Sequence, residues 1–217
     1  MPKLFAYGCS YTYGHGLEDC IIGKCDPGLE PSKLGYASLV SQHLNANELL
    51  NYSRPGTSNK WIVNAINVTV ESQQIGKNDA VIIQWTFLDR TCVLKKGSHR
   101  NLDKYEPLGT WLATKKSLSS AYYKHLYNIH DSTHVTSWYI KYVDLLLKSH
   151  GITKVLHTAL PDGEVDMKVY LPDTIKWWDD NISRNRIDKA IDGSHPGPES
   201  QKLFADKLFK EHGDYLS

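Results

Sequence analysis

The chain has no excess of charge: 25 Lys and Arg stand against 24 Asp and Glu, a formal net charge of +1 over 217 residues. That balance excludes a general attraction to nucleic acid or to an anionic membrane surface. Lys95, Lys96 and Arg100 form only a short basic group, so no nucleic-acid partner is expected. No apolar run approaches the roughly 18 residues of a membrane-spanning helix, so no membrane anchor is expected. Met1-Pro-Lys-Leu-Phe-Ala-Tyr7 passes straight into strand-like sequence without the features of a signal peptide. The expected location is cytoplasmic, or virion-associated if the chain is phage-encoded.

Cysteine is equally sparse. Cys9, Cys20, Cys25 and Cys92 are irregularly spaced, which excludes a disulfide scaffold. His15 lies near Cys20 and Cys25, but the short Cys pairs of a structural zinc site are missing. Neither a metal nor an organic cofactor is expected. Phenylalanine is scarce too: four stand beside six Trp and 13 Tyr, a set whose polar edges suit a half-wet cleft as well as a core.

What is present is alternation of strand and helix patterns. Leu4 to Tyr7 reads as a strand that ends at Gly8. Residues 34–44 read as a helix, Glu48 to Tyr52 as a second strand, and a helix starts near Asn59 with Gly76 as its expected end. Asp79-Ala-Val-Ile-Ile-Gln-Trp85 is continuous and branched, as a strand covered on both faces requires. Helical pattern returns over 117–149, with a break expected around Ile129 to Thr133. Lys154 to Ala159 reads as a further strand, Pro161 to Gly163 as a turn and Ser200 to Phe209 as a closing helix. Residues 162–190 carry no firm pattern. One doubly wound α/β domain accounts for this order, with a rim insertion at about 91–133.

Two motifs carry chemistry. Ser10 follows Gly8 by two residues, and Asp192-Gly-Ser-His195-Pro196 sets a carboxylate three residues before an imidazole. Serine is a weak nucleophile until a base takes its proton, and a carboxylate can fix the base's tautomer. The bland alternative makes Ser10 a packing or capping residue and Asp192–His195 a surface turn.

Gly8-Cys9-Ser10, followed by Thr12 and Gly14, together with Asp192-x-x-His195, resembles the SGNH (GDSL-type) hydrolase family as a divergent member. The resemblance extends loosely over most of the chain. It implies a three-layer α/β/α sandwich around a mainly parallel, flavodoxin-like sheet. It also implies that Ser10 is the nucleophile, His195 its base and Asp192 the residue orienting His195. The N–H groups of Ser10 and Gly56 become the expected oxyanion donors. Cys9 replaces the family aspartate of the first block, which is not the triad acid. The third block departs further: Gln84-Trp85-Thr86-Phe87 stands where Gly-x-Asn-Asp is usual, so Thr86 takes the place of the oxyanion asparagine.

Arg90, Arg54 and Trp85 are candidate substrate contacts: the arginines for polar or anionic groups, with a local salt bridge their rival role, and the tryptophan for stacking on a sugar or sealing the pocket, with core packing the leading reading of Trp85. The expected reaction is hydrolysis of a small acyl ester, such as an acetyl ester of a carbohydrate, through an acyl-enzyme. The alternative is a non-catalytic SGNH-like carbohydrate-binding or virion-associated module.

Overall fold

A computed structural model of the chain describes residues 2–23, 25–95, 105–161 and 165–217. The elements are β1 (Leu4–Tyr7), α1 (Ser10–Tyr13), β2 (Ile21–Ile22), β3 (Asp26–Pro27), α2 (Tyr36–His43), β4 (Leu49–Asn51), α3 (Asn59–Glu71) and β5 (Ala80–Gln84). Then follow β6 (Thr91–Leu94), β7 (Tyr105–Leu108), α4 (Ser117–His125), α5 (Ile129–Ser149), β8 (Lys154–Thr158), β9 (Trp177–Trp178) and α6 (Pro198–Leu216).

Strand polarity and side-chain alternation together generate the layers. The central sheet runs β4-β1-β5-β8-β9 with every pair parallel. Counted along the chain, that is the flavodoxin-like order 2-1-3-4-5. Successive strand residues point to opposite faces. Phe5, Tyr7, Val81, Ile83 and Val155 therefore join one core with Ile62 and Ile66 of α3 and Ile140 and Val143 of α5. Leu4, Ala6, Ala80, Ile82 and Leu156 join the other with Tyr36 and Val40 of α2 and Phe204 and Leu208 of α6. The result is the expected three-layer sandwich.

Several boundaries differ from expectation, each for a local reason. Helix α3 starts where Ser58 Oγ accepts the Trp61 N–H at 3.3 Å, but it ends at Glu71 rather than near Gly76. Gln73 takes a left-handed φ of 56° in the exit turn, and Gly76 N–H instead donates to Asp79 at 2.7 Å on the way into β5. The break between α4 and α5 falls before Ile129, because the Asn128 side chain accepts the N–H groups of His130 and Asp131 and caps α5 there. Residues 162–190 contribute the edge strand β9.

In the rim segment, β6 and β7 pair as an antiparallel ribbon separate from the central sheet. Lys96 and Arg100 of the basic group, and Asp162 and Gly163 of the expected turn, lie outside the described residues. Among the described residues no helix is long and apolar enough to cross a membrane.

Candidate active site

Strands β1 and β5 are neighbours, and the loops leaving their carboxyl ends open where the strand order reverses, the usual ligand crevice of such sheets. Gly8 leads out of β1. A Cβ added there would stand 2.0 Å from Thr12 Oγ1 and 2.7 Å from Thr12 Cβ, so only glycine lets the strand pass this close beneath α1. Thr12 Oγ1 donates to Gln84 Oε1 at 2.7 Å and lies 3.0 Å from Tyr36 Oη, which itself reaches Gln84 Oε1 at 3.1 Å. All three side chains are buried, and they tie α1 to β5 and α2.

Ser10 opens α1 and is 4% exposed. As the first N–H of a helix, its backbone donor has no partner within that helix. Among the described residues Ser10 Oγ makes no hydrogen bond, so the Ser10–His195 contact expected of a nucleophile and its base is not formed in this structure. Such contacts commonly tighten only around substrate.

His195 sits in the loop before α6. Asp192 Oδ1 accepts the N–H groups of Ser194 and His195 at 3.0 and 3.1 Å, while its Oδ2 accepts His195 Nδ1–H at 2.5 Å and Ser194 Oγ at 3.0 Å. Gly193, at φ 72°, allows the tight turn between them. Ile191 N–H donates to Gly16 O at 3.0 Å, docking this loop onto the chain just after α1. Gly16 has φ 89°, and a Cβ there would press within 2.8 Å of the Asp192 carboxyl.

The His195 ring meets Tyr11 edge-on at 5.6 Å and lies 4.5 Å from the His15 ring. Neither neighbour is marked by motif spacing, although each follows Ser10 within α1 or its exit turn. With Nδ1–H committed to Asp192, the neutral ring keeps its acceptor at Nε2. Burial pushes the His195 pKa down, Asp192 opposes this, and the charges of His15 and Arg90 add to the depression. Burial disfavours the Asp192 carboxylate, but the backbone donors of His195 and Ser194, and the His195 ring, hold its pKa well below the usual range.

The loop after β4 is latched to the same turn. Arg54 N–H and Thr57 Oγ1 both donate to Gly8 O at 3.2 Å. Gly56 has φ 74°, and an added Cβ would stand 3.7 Å from Trp111, so backbone conformation rather than space demands glycine here. Arg54 is exposed and, with Gly56, lines a cleft of about 140 Å³ that also includes Tyr105.

After β5, Asn59 grips Thr86 through the Thr86 N–H at 2.8 Å and the Thr86 carbonyl at 3.0 Å. One expectation needs correction at this point, that of Trp85 as a sugar contact. Thr86 is fully buried, and its Oγ1 accepts a bond from Arg90 Nη1 at 3.2 Å, which ties its hydroxyl to Arg90. Trp85 is also fully buried. It donates from Nε1 to His157 Nδ1 at 3.2 Å and stacks on that ring, leaving no surface for a sugar.

Arg90 is better placed: its Cζ lies 4.2 Å from the Phe87 ring centroid and 4.7 Å from that of Trp111. Phe87 in turn packs on Tyr11 at 6.0 Å. One continuous rim therefore links Gly56, Trp111, Arg90, Phe87, Tyr11 and His195. Trp111 and Phe87 had no assigned role in the sequence reading, since nothing in local spacing marks a contact made across the rim.

Donor atoms of His15, Asp192 and His195 lie within 4.8 Å of one another and could converge on a cation. Two of the three are already joined by the 2.5 Å bond, an arrangement suited to handling a proton. His15 Nε2 reaches the Cys25 carbonyl at 2.9 Å rather than a thiol.

No family model matches the chain, and no curated protein matches it by sequence. Solved structures do. A protein of the G-D-S-L family from Desulfitobacterium hafniense DCB-2 superposes with a TM-score of 0.56 at 13% identity, over 97% of this chain and 99% of its own. TesA gives a TM-score of 0.55 at 10% identity, over 99% of both chains. The acetyl xylan esterase Est2A from Butyrivibrio proteoclasticus gives 0.56 at 15% identity, over 98% of this chain and 64% of its own. At these identities the likeness is one of architecture, and the five-stranded parallel sheet, its strand order and its flanking helices agree with it. The chain has the fold of the SGNH hydrolases.

Proposed function

We propose that this chain is a serine esterase that removes a small acyl group from a polar alcohol, with an acetylated carbohydrate as the leading substrate class. The observation that carries the reading is the Asp192–His195 pair, joined at 2.5 Å and packed against the residues that follow Ser10. In this reading His195 Nε2 takes the Ser10 proton as the hydroxyl attacks the ester carbonyl. The N–H groups of Ser10 and Gly56 receive the oxyanion. His195 then protonates the departing alcohol and activates the water that releases the acyl group. Asp192 holds the ring in the required tautomer throughout. Arg54 and Arg90 flank the site as substrate contacts, and Thr86 positions Arg90.

Carbohydrate esterases among the structural neighbours support the substrate class, Est2A being an acetyl xylan esterase. A neighbouring carbohydrate esterase, at a TM-score of 0.51, is described as having an active site with divergent catalytic and non-catalytic binding functions. That description, together with the unmade Ser10–His195 contact, favours as second reading a saccharide-binding module without turnover.

A fluorophosphonate separates the two. The esterase labels at Ser10, loses the label in Ser10→Ala and His195→Ala, and hydrolyses acetylated sugars. Saccharide binding with no labelling and no hydrolysis by the wild-type protein would replace the esterase with the module.

A further inference from the structure

Arg90 has an unusual set of neighbours for a surface arginine. Its Cζ lies over two aromatic rings, Phe87 at 4.2 Å and Trp111 at 4.7 Å, so ring faces rather than water cover part of the guanidinium. The one hydrogen bond of its guanidinium among the described residues goes to a neutral acceptor, Thr86 Oγ1. No carboxylate among the described residues pairs with it. The adjacent Asp89 is committed elsewhere, with Oδ2 accepting from Thr110 Oγ1 at 2.6 Å and its carbonyl accepting from Tyr123. Glu106, on the neighbouring ribbon, is paired with Lys95 and Lys116.

A guanidinium carries five N–H donors in one plane, and one of them is used among the described residues. The others have no partner among the described residues, and two parallel N–H groups match the two oxygens of a carboxylate or phosphate. The clamp also sits between the proposed oxyanion donor and the proposed base. Trp111 lies against Gly56, and Phe87 lies against Tyr11, which touches His195. An anion held by Arg90 therefore belongs to a molecule occupying this same site.

We infer that the ester this protein cleaves carries an anionic substituent, a carboxylate or a phosphate monoester, and that Arg90 selects it. The inference deepens the esterase reading and rests on it for the word ester. The anion site itself is a property of the Phe87–Arg90–Trp111 clamp. Thr86 fixes one corner of the guanidinium, and the rings restrict its tilt, so little side-chain freedom remains to be lost when the anion binds.

The test compares matched pairs of esters. Acetylated methyl glucuronoside is set against acetylated methyl glucoside for an anion on the alcohol side. The p-nitrophenyl hemisuccinate is set against the butyrate for one on the acyl side. At least one anionic member should exceed its neutral partner by roughly tenfold to a hundredfold in kcat/KM, the range of a charge-assisted bidentate contact. Arg90→Gln should bring that ratio close to one, and Arg90→Lys should retain part of it. A wild-type ratio near one in both pairs would overturn the inference. So would a ratio that survives Arg90→Gln, or an equal loss on both members, which would make Arg90 an oxyanion donor instead.

A binding arm reads the anion site without turnover. In Ser10→Ala, glucuronate and glucose 6-phosphate are titrated against methyl glucoside by NMR, and the anions should bind at least tenfold tighter unless Arg90 is also changed. Arg90-dependent binding without hydrolysis of any ester by the wild type would retain the anion site and remove the esterase. Ser10-dependent hydrolysis with no anion preference in either arm would do the reverse.

Discussion

Gly8→Ala is the sharpest probe of how the turn that carries Ser10 is built. The new methyl would lie 2.0 Å from Thr12 Oγ1, 2.7 Å from Thr12 Cβ and 3.3 Å from the Gln84 carbonyl. Rotating Thr12 could relieve only the first of these. Rotation would also break the 2.7 Å bond to Gln84 Oε1 and the 3.0 Å contact with Tyr36. Two buried hydrogen bonds at about 1 kcal/mol each, plus about 1–3 kcal/mol for overpacking, predict a loss of about 3–5 kcal/mol. That is a large share of the roughly 5–15 kcal/mol stabilising a typical domain.

Urea unfolding measures this loss. A double-mutant cycle with Thr12→Gly, which removes both close atoms, assigns it. The Gly8→Ala penalty should shrink by most of its about 3–5 kcal/mol in that background, since both close contacts and both hydrogen bonds belong to Thr12. Gly8 has no positive φ, so backbone strain in alanine cannot account for the cost. Stability of Gly8→Ala within about 0.5 kcal/mol of wild type, a range typical of unconstrained surface changes, would refute the steric account. An additive cycle would refute it equally.

Two other expectations concern titration and packing. Because burial, His15 and Arg90 depress the His195 pKa, the acid limb of kcat/KM should fall below His's ordinary pKa of about 6.5, and Arg90→Gln should move it to higher pH; a limb unmoved by that change would remove Arg90 from the electrostatics of the base. Trp85→Phe leaves the buried His157 Nδ1 without its donor, so it should cost about 1–3 kcal/mol in urea unfolding while kcat/KM changes little; a selective loss of sugar-ester turnover would return Trp85 to the site.

Most of the sheet was legible because its strands report burial directly. Ala80 to Gln84 is apolar throughout until its last residue, and every side chain in it is buried. The same alternation supports the core-packing reading of Trp85. Val81, Ile83 and Trp85 fall on one face of the strand and all three join the core with α3 and α5. A tryptophan at a strand end also invites a functional reading, and periodicity is the better guide.

Strand β9 was not legible, since Trp177–Trp178 is too short for periodicity and exists through its pairing with β8. The same limit applies at Thr86. Its hydroxyl suggests a donor when read in isolation, whereas its burial and its bond to Arg90 are properties of the folded rim. The proposed roles of Ser10, Asp192, His195 and Gly56 rest on motif spacing, which survives in a linear text. Phe87, Trp111 and Tyr11 gain their meaning from contacts across the rim.

The proposed nucleophile and base come from opposite ends of this sequence, which sets an order on their appearance during synthesis. At roughly 5–20 residues per second, Ser10 leaves the ribosome about ten to forty seconds before His195. Through that interval β1, the strand leading to Ser10, can pair with β4 and then β5, yet the face formed by Leu4, Ala6 and Ile82 still lacks Phe204 and Leu208 of α6. On the proposed reading, the nascent protein carries an unactivated serine among half-covered strands, and the proposed chemistry switches on last, when the segment bearing His195 also closes the core. Ribosome-bound chains stalled before Asp192 should accordingly take no fluorophosphonate, while chains extended far enough to release α6 should take it.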